Sequence, residues 1–260
     1  VTSRVLFLNG QIAAGNGNWE QVATAMQQLL LQQPAEELKI KASYWLAESH
    51  YRRNQYSTAL GVLDGLAEVA TASGHKLEPW ILLRTSQCLG YENDWVQASE
   101  IAESAKTRFP DFEVDYEFDF VLARASEDAG ILSDARLAYK RIIKSSKGGS
   151  TETAAISQWR IGETYFHQEQ YINAINAYYK VDSLFSYPQW RSAALMQAGK
   201  CQELLGNNMH ALKLYTQLIE SFPDSKYAQN AKKRMGRLQS EVSGTAGLQN
   251  ASDAGSKTRR

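Results

Sequence analysis

The sequence predicts an all-α solenoid of about six helical hairpins followed by a capping helix, and three observations predict it. Gly162 recurs at Gly199 and Ala174 at Ala211, both displaced by 37 residues, a period typical of stacked repeat architectures. The recurrence extends backwards as two rows: Gly236, Gly199 and Gly162 continue into Ala123, Ser86, Ala47 and Gly10, and Ala211 and Ala174 into Ala135, Ala98, Ala59 and Val22. Every member of the first row is small, as needed where two helices approach so closely that a larger side chain would part them. Finally, the positions four and seven after the second row are Met26, Leu63, Ala102, Tyr139, Tyr178, Tyr215 and Leu29, Leu66, Ala105, Ile142, Val181, Leu218. Spacings of three, four and seven on one face are helical.

The first unit, about 1–34, has an opening helix that reads as clipped, a turn at Gly15-Asn16-Gly17-Asn18 and a second helix opened by Trp19. The second, 35–74, sets Tyr44, Trp45 and Tyr51 on its first helix and Tyr56, Ala59, Leu63 and Leu66 on its second, with Gly74 as the stop. The third, 75–110, closes on Phe109-Pro110, where proline ends the helix. The fourth, 111–149, begins with Asp111 to Phe120, whose acidic and apolar residues alternate as in a strand. A lone strand between helices would leave its backbone groups unpaired, so the run is expected to be a loop leading into a helix. Lys147-Gly148-Gly149-Ser150 lengthens the next connection, as a surface loop or a hinge. The fifth and sixth units, 150–187 and 188–223, repeat the pattern, the last ending at Phe222-Pro223. Residues 224–242, with Lys232, Lys233, Arg234 and Arg237 between apolar positions, read as a polar cap. Residues 243–260 have too few apolar side chains to fold and are expected to be disordered.

Lys plus Arg and Asp plus Glu number 28 each, so no global field favours nucleic acid or an anionic membrane. No apolar run approaches the roughly 20 residues that span a bilayer. Val1 in place of methionine reads as a cut or processed end. Cys88 and Cys201 fall at one register position of different repeats and read as small buried residues rather than a disulfide pair. No nucleophile elbow, phosphate loop or dinucleotide fingerprint is present. His50, His75, His167 and His210 lack the paired spacing of metal ligands and read as surface or groove residues. No enzymatic activity, cofactor or metal is therefore expected.

Trp159, Ile161-Gly162, Tyr165, Ala174, Tyr178 and Pro188 match the pattern of the tetratricopeptide repeat family, which the chain resembles from about Val5 to Leu238. The resemblance implies a right-handed superhelix whose first helices line a concave groove. Projected onto it, the groove residues are Tyr44, Glu48, Tyr51 and Arg52; Trp80, Gln87 and Tyr91; Arg124 and Glu127; Trp159, Glu163, Phe166 and His167; and Lys200 and Glu203. Aromatic rings interleaved with both charge signs suit a peptide segment or partner helix. The expected function is a non-catalytic protein–protein interaction scaffold with a protein or peptide partner, no nucleic acid and no direct membrane insertion. The Asp111 to Phe120 run is either a solvated helix start or an acidic docking ridge.

Phe222-Pro223-Asp224-Ser225-Lys226-Tyr227-Ala228 is also similar to units of bacterial envelope proteins, which points to the envelope or periplasm rather than the cytoplasm. Two other readings stay open: a spacer or oligomerisation module of a longer envelope protein, with self-association, and an accessory domain of an enzyme complex.

Overall fold

The computed structural model describes residues 2–240; the expected disordered tail, 243–260, and the last two cap residues lie outside them. Among the described residues there are helices, turns and loops but no strand. The chain divides into two compact units, Val1–Arg141 and Ile142–Arg260, with the boundary inside one helix.

The first unit contains α1 (Ser3–Gly15), α2 (Trp19–Leu31), α3 (Glu36–Arg52), α4 (Tyr56–Leu63), α5 (Leu66–Ala72), α6 (Glu78–Tyr91), α7 (Trp95–Arg108), α8 (Tyr116–Asp128) and most of α9 (Leu132–Lys144). Successive helices pair as hairpins, and each second helix also packs on the next first helix: α2 on α3, α4 and α5 on α6, α7 on α8. Side-chain caps start several helices: Asn18 accepts a hydrogen bond from the Gln21 amide and Asp94 from the Gln97 amide. One expectation is corrected here. The second helix of the 35–74 unit is interrupted, because Gly65 adopts φ 68° and the chain turns at Asp64-Gly65, leaving Leu63 on α4 and Leu66 on α5.

The second unit contains α10 (Glu152–His167), α11 (Tyr171–Leu184), α12 (Pro188–Leu204), α13 (Asn208–Ser221) and a helical stretch at 228–240. One core runs through it, from Ala174, Tyr178 and Val181 through Leu195 and Cys201 to Tyr215, Leu218, Ala231 and Leu238.

Both rows read from the sequence have a physical counterpart. Val22, Ala59, Ala98, Ala135, Ala174 and Ala211 are each fully buried. A Cβ added at Gly162 would stand 2.3 Å from Tyr178 Cε1, and one at Gly199 2.4 Å from Tyr215 Cε1, so the tyrosine rings occupy the room that glycine leaves. A third row emerges seven positions on. Gly17, Asn54, Asn93, Gly130, Glu169 and Gly206, one in each intra-hairpin turn, all have positive φ between 57° and 74°. The left-handed residue reverses the chain between paired helices and lets the following amides bond back to the helix end. Asp111 to Asp115 are turns leading into α8, with Phe112 and Phe118 buried, in line with the loop-into-helix reading.

Candidate functional site

The site candidates lie on first helices. In the first unit the structure gathers them around an arginine the sequence projection had passed over. Arg84 of α6 is buried, its guanidinium 2.6 Å from Glu48 of α3, 2.6 Å from Gln87 Oε1 and 3.7 Å above the Tyr51 ring. Glu48 also accepts from Arg52 Nε at 2.7 Å, and Arg52 lies over Trp19. Glu48 and Tyr44 are buried; their charge and hydroxyl are engaged within the chain rather than offered on its surface. Burial pushes the Tyr44 hydroxyl up to about 12, with Glu48 acting in the same direction. Tyr51 meets Tyr56 and Tyr91 edge-on, and Tyr56 and Tyr91 stack at 4.2 Å. Of this aromatic group Tyr91 is the exposed member. Trp80 packs edge-on against Phe112. Gln87 donates to Glu117, Arg124 lies over Trp95, and Glu127 accepts from Tyr139 at 2.6 Å. Within the acidic run, Lys106 and Arg141 engage Asp119 while Asp111 and Glu113 are exposed.

Two histidines differ from expectation. His50 and His75 are buried, His50 against Gln55 and His75 between Glu37 and the Leu77 amide, because each closes a turn with its ring nitrogens. His167 is exposed at the end of α10, beside Phe166. Both cysteines are free and buried, and burial pushes each thiol up to about 12.

In the second unit a carboxylate on each first helix is held by a buried tyrosine hydroxyl from the paired second helix. Tyr178 donates to Glu163, which also accepts from Gln197 at 2.7 Å. Tyr215 donates to Glu203, which accepts from Arg234 at 2.9 Å and from Arg237. Burial, reinforced by the neighbouring carboxylate, pushes both hydroxyls far above their ordinary range. Trp159 packs against Trp190, and Trp190 donates to Glu152. Among the described residues, Trp159 Nε1 and Gln197 Oε1 are buried and make no hydrogen bond. Lys200 is partly buried; burial and the nearby Arg234 lower its affinity for a proton, while Glu163 and Glu203 act in the opposite direction.

The net charge of zero conceals a division. Residues 2–141 carry 13 Lys and Arg against 19 Asp and Glu, a net of six negative charges, whereas 142–240 carry 12 against 7, a net of five positive. Counting charges along the chain in halves would have exposed this. Among the described residues no cluster of His, Cys, Asp and Glu could hold a metal ion, and no helix is long and apolar enough to cross a membrane.

Models of the tetratricopeptide repeat family match residues 7–74 and 193–225. Those two stretches resemble tetratricopeptide repeats. Solved structures of other proteins share the fold. The apo form of the quorum sensor NprR from B. thuringiensis aligns with TM-score 0.74 at 12% identity, covering 91% of this chain and 68% of that one. NprR in complex with its cognate peptide NprX aligns at 0.64 and 13%, covering 91% and 70%. PilW, a type IV pilus biogenesis factor, aligns at 0.67 and 17%, covering 88% and 97%. No curated protein matches by sequence. The identities are low enough that only the fold carries over.

Proposed function

We propose that the protein is a non-catalytic interaction scaffold whose first-helix face in residues 142–240 takes an extended peptide segment bearing carboxylates. The observation that carries this reading is Lys200, a partly buried ammonium on a first helix of a unit with five excess positive charges. Glu203 neutralises one of the two arginines beside it, so the pair retains a positive charge. Phe166, His167 and the Trp159 ring supply contact area, and Glu163, fixed by Tyr178 and Gln197, positions the latter's amide. In the first unit, taken by itself, Arg52, Gln87 and Tyr91 would serve on its own first helices, while Tyr44, Glu48, Tyr51, Trp80, Arg124 and Glu127 hold those helices in shape. NprR, which shares the fold, forms a complex with a cognate peptide, and that is consistent with this use of the architecture.

The test is fluorescence anisotropy with a labelled acidic peptide, in free-carboxylate and C-terminally amidated forms, against the intact protein. Lys200→Glu is expected to weaken binding about tenfold or more and to reduce its salt dependence. Loss of affinity on amidation assigns the contact to the terminal carboxylate; unchanged affinity assigns it to side chains. Equal binding by wild type and Lys200→Glu removes the proposal.

A further inference from the structure

The basic residues of the second unit are not spread evenly. Counted from the small residues Gly162, Gly199 and Gly236, Arg160 and Arg234 stand two before, and Lys200 and Arg237 one after. Positions three apart are neighbours on one helix face, so these cations fall on a single strip of the first helices.

Three of them gather around Glu203 of α12. Arg234 sets Nη1 2.9 Å from both carboxylate oxygens, and Arg237 sets Nη2 2.5 Å from Oε2. Lys200 precedes Glu203 by three residues and lies in the field of both Glu203 and Arg234. The Glu203 side chain is only 9% exposed, and the buried Tyr215 hydroxyl donates to its Oε1. Fixed in this way, the carboxylate in turn fixes two guanidiniums whose side chains stay 31% and 57% exposed. Glu163 also acts on Lys200, but it follows Arg160 by three residues on α10, so an opposite charge meets it on its own helix.

Three cations against one carboxylate leave an excess of two positive charges around Glu203. A side-chain carboxylate brought here would cancel half of it. A phosphomonoester carries about 1.5 to 2 negative charges at neutral pH and three strong acceptor oxygens, and the planar donor fork of arginine matches that geometry. Among the described residues Arg234 gives Nη1 alone to hydrogen bonds, which leaves the N–H groups of Nη2 and Nε for such an anion.

We propose that Lys200, Arg234 and Arg237 form a subsite for a phosphoryl group carried by the bound segment on a serine or threonine side chain, with Glu203 as the positioning residue behind the two guanidiniums. The inference rests on the reading of the first-helix face as a peptide site and adds the chemistry of one side chain of that peptide.

The experiment is fluorescence anisotropy of the intact protein with the same labelled acidic peptide and with two versions in which one glutamate is replaced by phosphoserine or by serine, with inorganic phosphate titrated as competitor. The phosphoserine peptide is expected to bind about tenfold or more tighter than the glutamate peptide, and the serine peptide weakest. Arg234→Lys, which keeps the charge and removes the fork, and Arg237→Gln, at the more exposed position, are each expected to cut that preference by about threefold or more with an unchanged circular dichroism spectrum. Glu203→Gln is expected to weaken the phosphoserine peptide, whereas net charge alone would tighten it. The proposal is overturned, with the peptide reading intact, by a phosphoserine peptide that binds no tighter than the glutamate one, by a preference that survives both arginine variants, by tightening in Glu203→Gln, or by inorganic phosphate that binds as tightly as the phosphoserine peptide. Failure of all three peptides to bind overturns both.

Discussion

Replacing Gly162 by alanine tests the packing logic at one atom. In an exposed helix the change would favour folding by about 1 kcal/mol through backbone propensity. Here the new Cβ would lie 2.3 Å from Tyr178 Cε1 and 2.6 Å from Cδ1, more than an ångström inside ordinary contact. Overpacking of this kind costs about 1–3 kcal/mol. Moving the ring also draws the Tyr178 hydroxyl from Glu163, a hydrogen bond to a charged group that contributes roughly 1.5–3 kcal/mol. The net expectation is a loss of about 2–4 kcal/mol, or roughly 10 °C or more in the melting of the second unit. Because repeat arrays need not unfold in one step, hydrogen exchange at α10 and α11 amides should accompany thermal melting. Tyr178→Phe should be costly alone and add little in the Gly162→Ala background, since the hydroxyl contact is already gone. Gly61→Ala, in a helix where an added Cβ meets nothing within 4 Å, should instead stabilise by about 0.5–1 kcal/mol. A Gly162→Ala protein that melts at or above wild type would refute the reasoning.

Three further outcomes are expected. Glu169, non-glycine at φ 57° in an exposed turn, should gain about 0.5–1 kcal/mol on Glu169→Gly, seen as a raised midpoint in urea. Cys88 and Cys201, with thiols pushed up to about 12, should resist a thiol-specific chromogen at pH 8 in the native protein and react at once in denaturant. Stability should fall under alkaline conditions. Cys88, Cys201 and Tyr44 keep their protons in the fold to about 12, while the unfolded groups release theirs near 9 and 10. Their contribution is therefore fully present below about pH 9 and lost progressively up to about pH 12, a trend that melting temperatures across this range would show.

The fold was legible because helix contacts repeat: the glycine row and the tyrosine row were both visible, and they meet at Gly162 with Tyr178 and at Gly199 with Tyr215. Their carboxylate partners were not legible as a row. Glu127 and Glu203 lie four after the small residue and Glu163 one after it, and a flexible side chain reaches the hydroxyl from either turn. Arg84 was missed because the projection favoured rings, although it follows Glu48 by about one repeat with the opposite charge. The break at Asp64-Gly65 was overridden by the register, yet that dipeptide is itself a turn signal. Sequence alone could place side chains on the first helices, but not decide which would spend their polar groups on one another, as Glu163 does with Tyr178 and Glu203 with Tyr215.

The central claim is that the second unit meets its partner with first helices. Hydrogen–deuterium exchange of the intact protein, with and without saturating acidic peptide, tests it most directly. The account predicts added protection in α10, α12 and the 228–240 helix, with α11 and α13 unchanged. Protection confined to α11 and α13, or none at a concentration that saturates binding, would contradict it.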